Sequence, residues 1–561
     1  MADTKTRTSV DTSKNNKVSG VMNQQAARFE YADLPPWELA TYFVILTGTL
    51  AWGWYRIVEA SSQLQANGFD KTHALWERTN FTLFGVAIFG RQRRRDLVDV
   101  EWRQFSSLWA TLITALLAHS LAYAALDWLF QRTIIDHHVQ LMTLGDVIIT
   151  ANAFGVTVVV STILNGLFFF AVTRLTRQKS LVWAAAVPVL YTALHPPWAL
   201  FTSDFASQLV CGYKLLSFIS YNLDYIEHHQ RRSSDPNEGQ RNNTQLFGDC
   251  LTVQLCRMFH YAFYLPYSLS LVVLYSDFER QKQERAPVRE RDFTRIVQLS
   301  VRIFAWWLLL EGALHRAYFT AFLHSTRFLR SMPLDLLTGV GYAAGQFFHL
   351  KYVVIFGVAR VFAQCDGMQP LAGPVCVARV AAYSKMWRQF DRGLYRFFKQ
   401  YIFVPICAPS FSTGRKLCGL FVAYLFVLVW HGVAWSKCVW VVMSFVGLLL
   451  ESTAHALYSL RSVRRLRENF LSDRNFRRLI AWGHVLLFAI SVHSNIYFLI
   501  GAKAGWIFAD RFFWNQTAKL RPPALLLLSV GYCHANVCIE IDRWYERRRE
   551  GDAKQSCNKQ Q

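Results

Sequence analysis

Long apolar runs separated by short polar stretches dominate this chain. The first is Leu39–Val58, and others cover about 105–126, 139–173, 181–201, 251–275, 296–323, 334–363, 397–409, 417–450, 478–502 and 523–541. A hydrocarbon core about 30 Å thick takes roughly 20 apolar residues to cross as a helix. Some runs exceed that length and others fall short of it. The pattern therefore predicts an all-α, polytopic membrane protein with roughly 10 to 12 membrane-embedded helices and re-entrant segments. As a single helix the run from Leu417 to Leu450 would be about 50 Å long, so two segments broken near Gly432 or Lys437 fit a bilayer better. Trp52, Trp54 and Tyr55 suit an interfacial anchor for the first span. Residues 1–30 are polar and predict a disordered tail. Residues 31–545 read as one membrane domain, and 546–561 as a polar C-terminal tail. Glu227–Asp249, with Pro236 and Gly239, and the charged stretch Glu279–Arg295 read as the clearest soluble connections.

Composition agrees with the pattern: of 561 residues 53% are hydrophobic, with 43 Phe and 19 Trp. The first 30 residues lack the apolar core of a cleavable signal peptide. A net charge of +22 would suggest nucleic acid in a soluble protein. Here the excess falls largely between apolar runs, where Lys and Arg meet anionic lipid and set topology, so no nucleic-acid partner is expected. The 11 cysteines form no Cys-x-x-Cys pair and no Cys/His cluster at zinc spacing, which argues against a zinc site or a disulfide framework. Asn80-Phe81-Thr82 is a glycosylation acceptor if lumenal. Arg91, Arg93, Arg94 and Arg95 favour the cytosolic side for the same loop, and its side stays open.

Several spans carry ionisable groups: Glu311, His315 and Arg316, then His349 and Lys351, then Glu451 and His455. Each one singly reads as a structural hydrogen bond or a snorkelling end. Together they suggest a polar cavity. The candidate base is His431, in Val429-Trp430-His431-Gly432, because imidazole titrates near working pH and an ionisable group within an apolar run is costly. A second stretch precedes it. At about 100° per residue Trp387, Phe390, Leu394, Phe398 and Tyr401 share one arc, and Arg388, Arg392, Arg396 and Lys399 share another. This predicts an amphipathic helix lying in the interface. Asp391 falls at the border, one turn from Trp387, where an anion needs a partner. The basic stripe suits either lipid headgroups or the phosphates of a coenzyme A donor, with Arg388 best placed and Arg392 next.

The ordered set Trp387-x-x-x-Asp391-x-Gly393, Tyr401-Ile402-Phe403-Val404-Pro405 and Trp430-His431-Gly432 resembles the membrane-bound O-acyltransferase superfamily (MBOAT). The stretches Arg93–Trp102, Gly345–Gly357 and Ser494–Gly501 extend the likeness over about residues 90 to 540, and within the superfamily the pattern is most similar to the hedgehog acyltransferases. The resemblance implies a fold built around a central tunnel, with Asp391 nearer the cytosolic side and His431 deeper. It implies His431 and Asp391 as catalytic residues, and Trp387, Arg388 and Arg392 as substrate-binding ones. An acid at position 391 suits an acceptor with a free amine, whereas relatives that modify hydroxyls commonly carry Asn or His there. The implied reaction is transfer of palmitate from palmitoyl-CoA to the N-terminal cysteine of a secreted signalling protein, in the endoplasmic reticulum or Golgi membrane. Cys376 matches by position a cysteine that ligates haem in the hedgehog acyltransferases. Ser220-Tyr221-Asn222-Leu223-Asp224 instead has the flavour of Gup-type enzymes acting on lipids or lipid anchors. A non-catalytic homologue is the third reading, and such paralogues tend to lose the histidine.

Overall fold

A computed structural model describes residues 31–558 apart from 67–75, 78–81, 84–85, 88–94, 131–134, 195–203, 235–246, 248–249, 269, 286–289, 409 and 515–521. The polar tail 1–30, the acceptor Asn80 and Arg91–Arg94 lie outside the described residues. Eight described helices are long and apolar enough to cross a membrane: Trp109–Leu129, Val156–Thr176, Phe293–Arg316, Leu334–Cys365, Thr413–Trp430, Trp435–Ser459, Asp473–Leu499 and Leu525–Arg548. Two shorter apolar helices, Val139–Phe154 and Lys179–Tyr191, lie among them in sequence. The chain is an all-α polytopic membrane protein. Its only described strands are two-residue pairs, Trp76–Glu77 against Arg95–Asp96 and Thr82–Leu83 against Val86–Ala87. The first run lies within the helix Pro36–Ala66, which is not among the eight because Thr, Gly and Trp dilute its apolar stretch.

Glycine places the breaks within the over-long runs. The run 139–173 divides at Gly155 (φ +98°) into Ile135–Phe154 and Val156–Thr176, and the run 417–450 divides at Gly432 (φ +76°). A Cβ at Gly432 would meet nothing within 4 Å, so the need there is for backbone freedom and not for space.

Leu334–Cys365 is the central helix, 61% buried over its most apolar window where Phe293–Arg316 is 28% buried. It packs against Phe293–Arg316 and Pro36–Ala66 in one core cluster. A second cluster joins Asp204–Ser234 to Leu251–Phe263 and Tyr275–Gln283. The ionisable groups in the spans are mostly taken up by packing. Glu311 accepts from Arg95 Nη2 (2.5 Å) and Trp102 Nε1 (3.2 Å), and His315 Nδ1 meets the Glu311 carbonyl (2.7 Å). Lys351 bridges Asp99 (3.1 Å) and Glu101 (2.7 Å). Buried His119 bonds Asp146 through Nδ1 and Asp366 through Nε2 (2.9 Å), pinning three helices with a network that hydropathy alone does not reveal.

Both expected connections are helical over part of their described residues. Glu279–Arg295 begins within the helix Tyr275–Gln283, where Glu279 and Gln281 are buried, and Arg285 (2.5 Å) and Arg291 (3.0 Å) both grip Asp127. Paired charge lets this polar segment pack instead of solvating. The helix Asp204–Ser234 runs through the start of the Glu227 stretch, and Pro522–Asn558 continues over most of the segment read as a tail.

Candidate active site

His431 occupies the turn between two spans. The helix Thr413–Trp430 ends on it, its backbone N–H donating to the Val427 carbonyl (3.1 Å), and Gly432 turns the chain so that Ala434 opens Trp435–Ser459. The imidazole stands edge-on to Trp440 (5.4 Å) and Phe498 (5.1 Å), and those two rings lie 4.3 Å apart. His431 itself is exposed at this turn. Lys437 shares the same aromatic support. Its ammonium donates to the Phe498 carbonyl (2.6 Å) and sits 4.1 Å from the ring centroid.

An aromatic wall leads from His431 to the second candidate. Trp387 meets Trp440 (5.6 Å) and Tyr424 (5.1 Å). Phe498 meets Phe348 edge-on (6.1 Å), and Phe348 stacks flat on Phe390 (5.3 Å), the residue before Asp391. The structure thus places Trp387 and His431 against the same ring, Trp440, and joins His431 to the neighbour of Asp391 through Phe498 and Phe348.

Asp391 does not sit on a continuous helix beside Trp387. The expected amphipathic helix is three pieces: Tyr383–Gln389, Arg392–Phe398 and a π-helical turn Lys399–Phe403. Asp391 has extended backbone and caps the second piece, accepting from the Leu394 N–H (2.9 Å). Aspartate serves well there because its carboxylate satisfies an N–H that the helix leaves open. Gly393 explains the rest of the break: a Cβ there would lie 1.8 Å from the Val272 carbonyl oxygen. Downstream, Tyr401 donates to Asp224 (2.9 Å) and bonds Ser220 (2.8 Å), whose oxygen also accepts from the Tyr275 N–H (2.8 Å). Both ends of the short helix are therefore fastened near the segment Val272–Ser276. Asp391 is half-buried and has no ion-pair partner among the described residues. Loss of hydration pushes its carboxyl up to about 6, against the pull of the Leu394 and Gly393 N–H groups. It lines a cavity of about 20 Å³ with Phe390, Arg392, Arg360, Val272 and Gly373, room for one water.

The sequence profile of MBOAT, the membrane-bound O-acyltransferase family, matches residues 168–493, more than half of the chain. The chain belongs to that family. Mouse "Protein-cysteine N-palmitoyltransferase HHAT" is 24% identical over 91% of this chain and 99% of its own length. "Protein-cysteine N-palmitoyltransferase Rasp" of Drosophila melanogaster is 29% identical over 46% of this chain and 51% of its own. "Membrane-bound O-acyltransferase GUP1" of Candida tropicalis is 21% identical over 56% and 53%. This MBOAT protein is an acyltransferase with several membrane-spanning helices.

In this MBOAT chain the remaining sequence candidates divide. Arg388 is exposed and folds back on its own helix, with Nε on the Ser384 carbonyl (3.1 Å) and Nη2 on Ser384 Oγ (3.1 Å). Ser384 is in turn held by Glu451, through its N–H (2.9 Å) and its hydroxyl (2.5 Å). Arg396 is paired with Asp277 (2.6 Å). Only Arg392 of the stripe lies beside Asp391 in the cavity wall. Cys376 is half-buried ahead of the turn Val377–Arg379, apart from the His431 wall. No group of three or more His, Cys, Asp or Glu among the described residues could hold a metal ion. The nearby Cys538 thiol and His534 are committed to each other (3.4 Å) and to the Ala378 carbonyl. The described residues around Cys376 give no support to the haem expectation. Cavities of about 40 and 20 Å³ lie among the described residues, the smaller beside Asp391, and a series of ring contacts runs from His431 to Phe390. Sequence reasoning missed Lys437 and Trp440 as site residues. Phe498 lay within a stretch that resembled the family, which was its one signal.

Proposed function

We propose that this MBOAT protein is a protein-cysteine N-palmitoyltransferase of the endoplasmic-reticulum membrane. It would move palmitate from palmitoyl-CoA to the N-terminal cysteine of a secreted, hedgehog-type signalling protein. One observation carries the reading. An exposed histidine and a half-buried aspartate without an ion-pair partner among the described residues stand at the two ends of one aromatic wall, in a chain similar along nearly its whole length to a mouse N-palmitoyltransferase.

The chemistry follows from these groups. The acceptor nitrogen attacks the thioester carbonyl, a C–N bond forms, the C–S bond breaks, and coenzyme A leaves as a thiol. His431 takes the proton that the amine loses and returns it to the departing sulfur. The Asp391 carboxylate attracts the incoming ammonium and takes its first proton, which frees the nitrogen lone pair for attack and is later released to water, and the cavity beside it is small. Trp387 supports the wall against which the acyl chain lies. Arg392 faces the donor's phosphates from the Asp391 cavity, and Arg388 joins it by swinging away from Ser384. Ser220 and Asp224, the residues with Gup flavour, are occupied in holding Tyr401 and so do not favour a hydroxyl acceptor.

Purified protein with palmitoyl-CoA and a peptide bearing an N-terminal cysteine should yield a hydroxylamine-resistant amide, and the N-acetylated peptide should not. Acylation of lipid hydroxyls with none of the peptide would replace the proposal with the Gup-type reading. Absence of transfer to any acceptor would make the chain a non-catalytic member.

A further inference from the structure

Between the spans Trp435–Ser459 and Asp473–Leu499 the chain forms one more helix, Arg461–Phe470, that the acyl-transfer site does not use. Its sequence divides by face. At 100° per residue Val463, Leu466 and Phe470 fall within about 60° of one another, and Arg461, Arg464 and Arg465 fall opposite. The apolar face is not covered by protein: Leu466 is 61% exposed and Phe470 77%. Four arginines and one glutamate in ten residues leave the helix strongly basic.

The arginines fall into two pairs. Arg464 lies over the ring of Tyr458 (5.9 Å) and Arg467 over that of Phe476 (4.8 Å), and these two rings stack on each other (5.4 Å). Arg467 is also bonded to Asp473. This anchors the helix across the ends of both flanking spans. Arg461 and Arg465 are exposed and have no described partner.

Topology says which surface the helix meets. Phe421 (6.4 Å) and Tyr424 (5.9 Å), before the His431 turn, both contact Phe445 after it, so the two spans form a hairpin. Arg415 and Lys416 at one open end of that hairpin therefore lie on the same side as Arg461–Phe470 at the other. Concentration of basic residues on one side marks the cytosolic face, whose leaflet carries the anionic lipid.

We propose that Arg461–Phe470 is an interfacial helix that docks on anionic phospholipid of the cytosolic leaflet. Leu466 and Phe470 enter the acyl boundary, and Arg461 and Arg465 hold headgroup phosphate and carboxylate. A small anion in solution would account for the arginines but would leave the apolar face open, whereas a phospholipid surface satisfies both faces at once.

The test uses the full chain in nanodiscs of phosphatidylcholine, with a trace of photo-crosslinkable phosphatidylserine or phosphatidylcholine. Each exposed guanidinium near the surface should enrich the anionic lipid roughly fivefold. Phosphatidylserine should therefore label the segment 461–470 well above phosphatidylcholine. The double variant Arg461→Gln/Arg465→Gln should lose most of that excess and keep the phosphatidylcholine label. Raised salt should erase the preference in the wild type, a check that does not depend on the variant folding. Equal labelling by the two lipids, unmoved by salt or by the variant, would overturn the proposal. So would absence of label from either lipid, which would mean that something other than a bilayer covers the helix.

Discussion

Asp391 does two separable things, and substitutions can part them. As the cap of Arg392–Phe398 it holds the Leu394 N–H (2.9 Å), a role that Asn and Ser fill about equally well and Ala does not. Asp391→Ala should therefore cost about 1 kcal/mol of stability, and Asp391→Asn close to nothing. As a charged group acting on the acceptor amine it should matter far more. Loss of a positioned acid–base group typically slows turnover about 10²- to 10⁴-fold, roughly 3 to 5 kcal/mol of barrier. Asp391→Asn should thus unfold like the wild type, bind palmitoyl-CoA, and yet transfer little palmitate. The pH profile supplies a second readout. The carboxyl sits at about 6, so the active anion is present above that pH and is lost as pH falls through it. Wild-type kcat/KM should fall about tenfold per pH unit below 6, and the Asn variant should lose that limb. Amide formation on the peptide is followed by mass spectrometry and unfolding by a thermal shift in detergent. If Asp391→Asn transfers at the wild-type rate, and Asp391→Ala fails only in proportion to its lost stability, Asp391 is a helix cap and nothing more.

Four further expectations rest on the same geometry. His431→Ala should bind palmitoyl-CoA and lose turnover by roughly 10²-fold or more; near wild-type kcat in the purified variant excludes it as the base. Gly393→Ala should fold poorly, because its Cβ would lie 1.8 Å from the Val272 carbonyl oxygen, whereas Gly414→Ala, with nothing within 4 Å, should be silent in the same expression and thermal assay. Tyr401→Phe removes the hydroxyl between Ser220 and Asp224 and should cost about 1 to 3 kcal/mol; an unchanged thermal midpoint would show that water replaces it. Arg392→Ala should raise the KM for palmitoyl-CoA more than Arg388→Ala does, since Arg388 must first leave Ser384, and the peptide KM should stay put; the reverse order would place the donor phosphates on Tyr383–Gln389.

The sequence by itself determined the membrane character, the helical class and most of the spans, because lipid demands about 20 apolar residues per crossing and tolerates few substitutes. It also placed a break near Gly432 or Lys437, which the structure puts at Gly432 with its positive φ, and it singled out His431 as chemistry in an apolar run. Residue order also gave the family, through motifs whose physical reasons appear only in the fold. Gly393 is required by a carbonyl 121 positions upstream in the chain, and Asp391 by a helix start that periodicity read as helix interior. The arc of Trp387, Phe390, Leu394, Phe398 and Tyr401 has helical spacing, but the chain breaks at Phe390–Asp391, and beyond Phe398 it continues through a π-helical turn. Hydropathy could not reveal that Arg388 turns to Ser384, that Arg285 and Arg291 bury themselves on Asp127, or that Lys437 and His431 share Phe498. Local sequence fixes how polar a segment is and which backbone shapes it can take. Which groups meet is decided only when helices distant in the chain pack together, since a charge is cheap or costly according to the partner that packing brings to it.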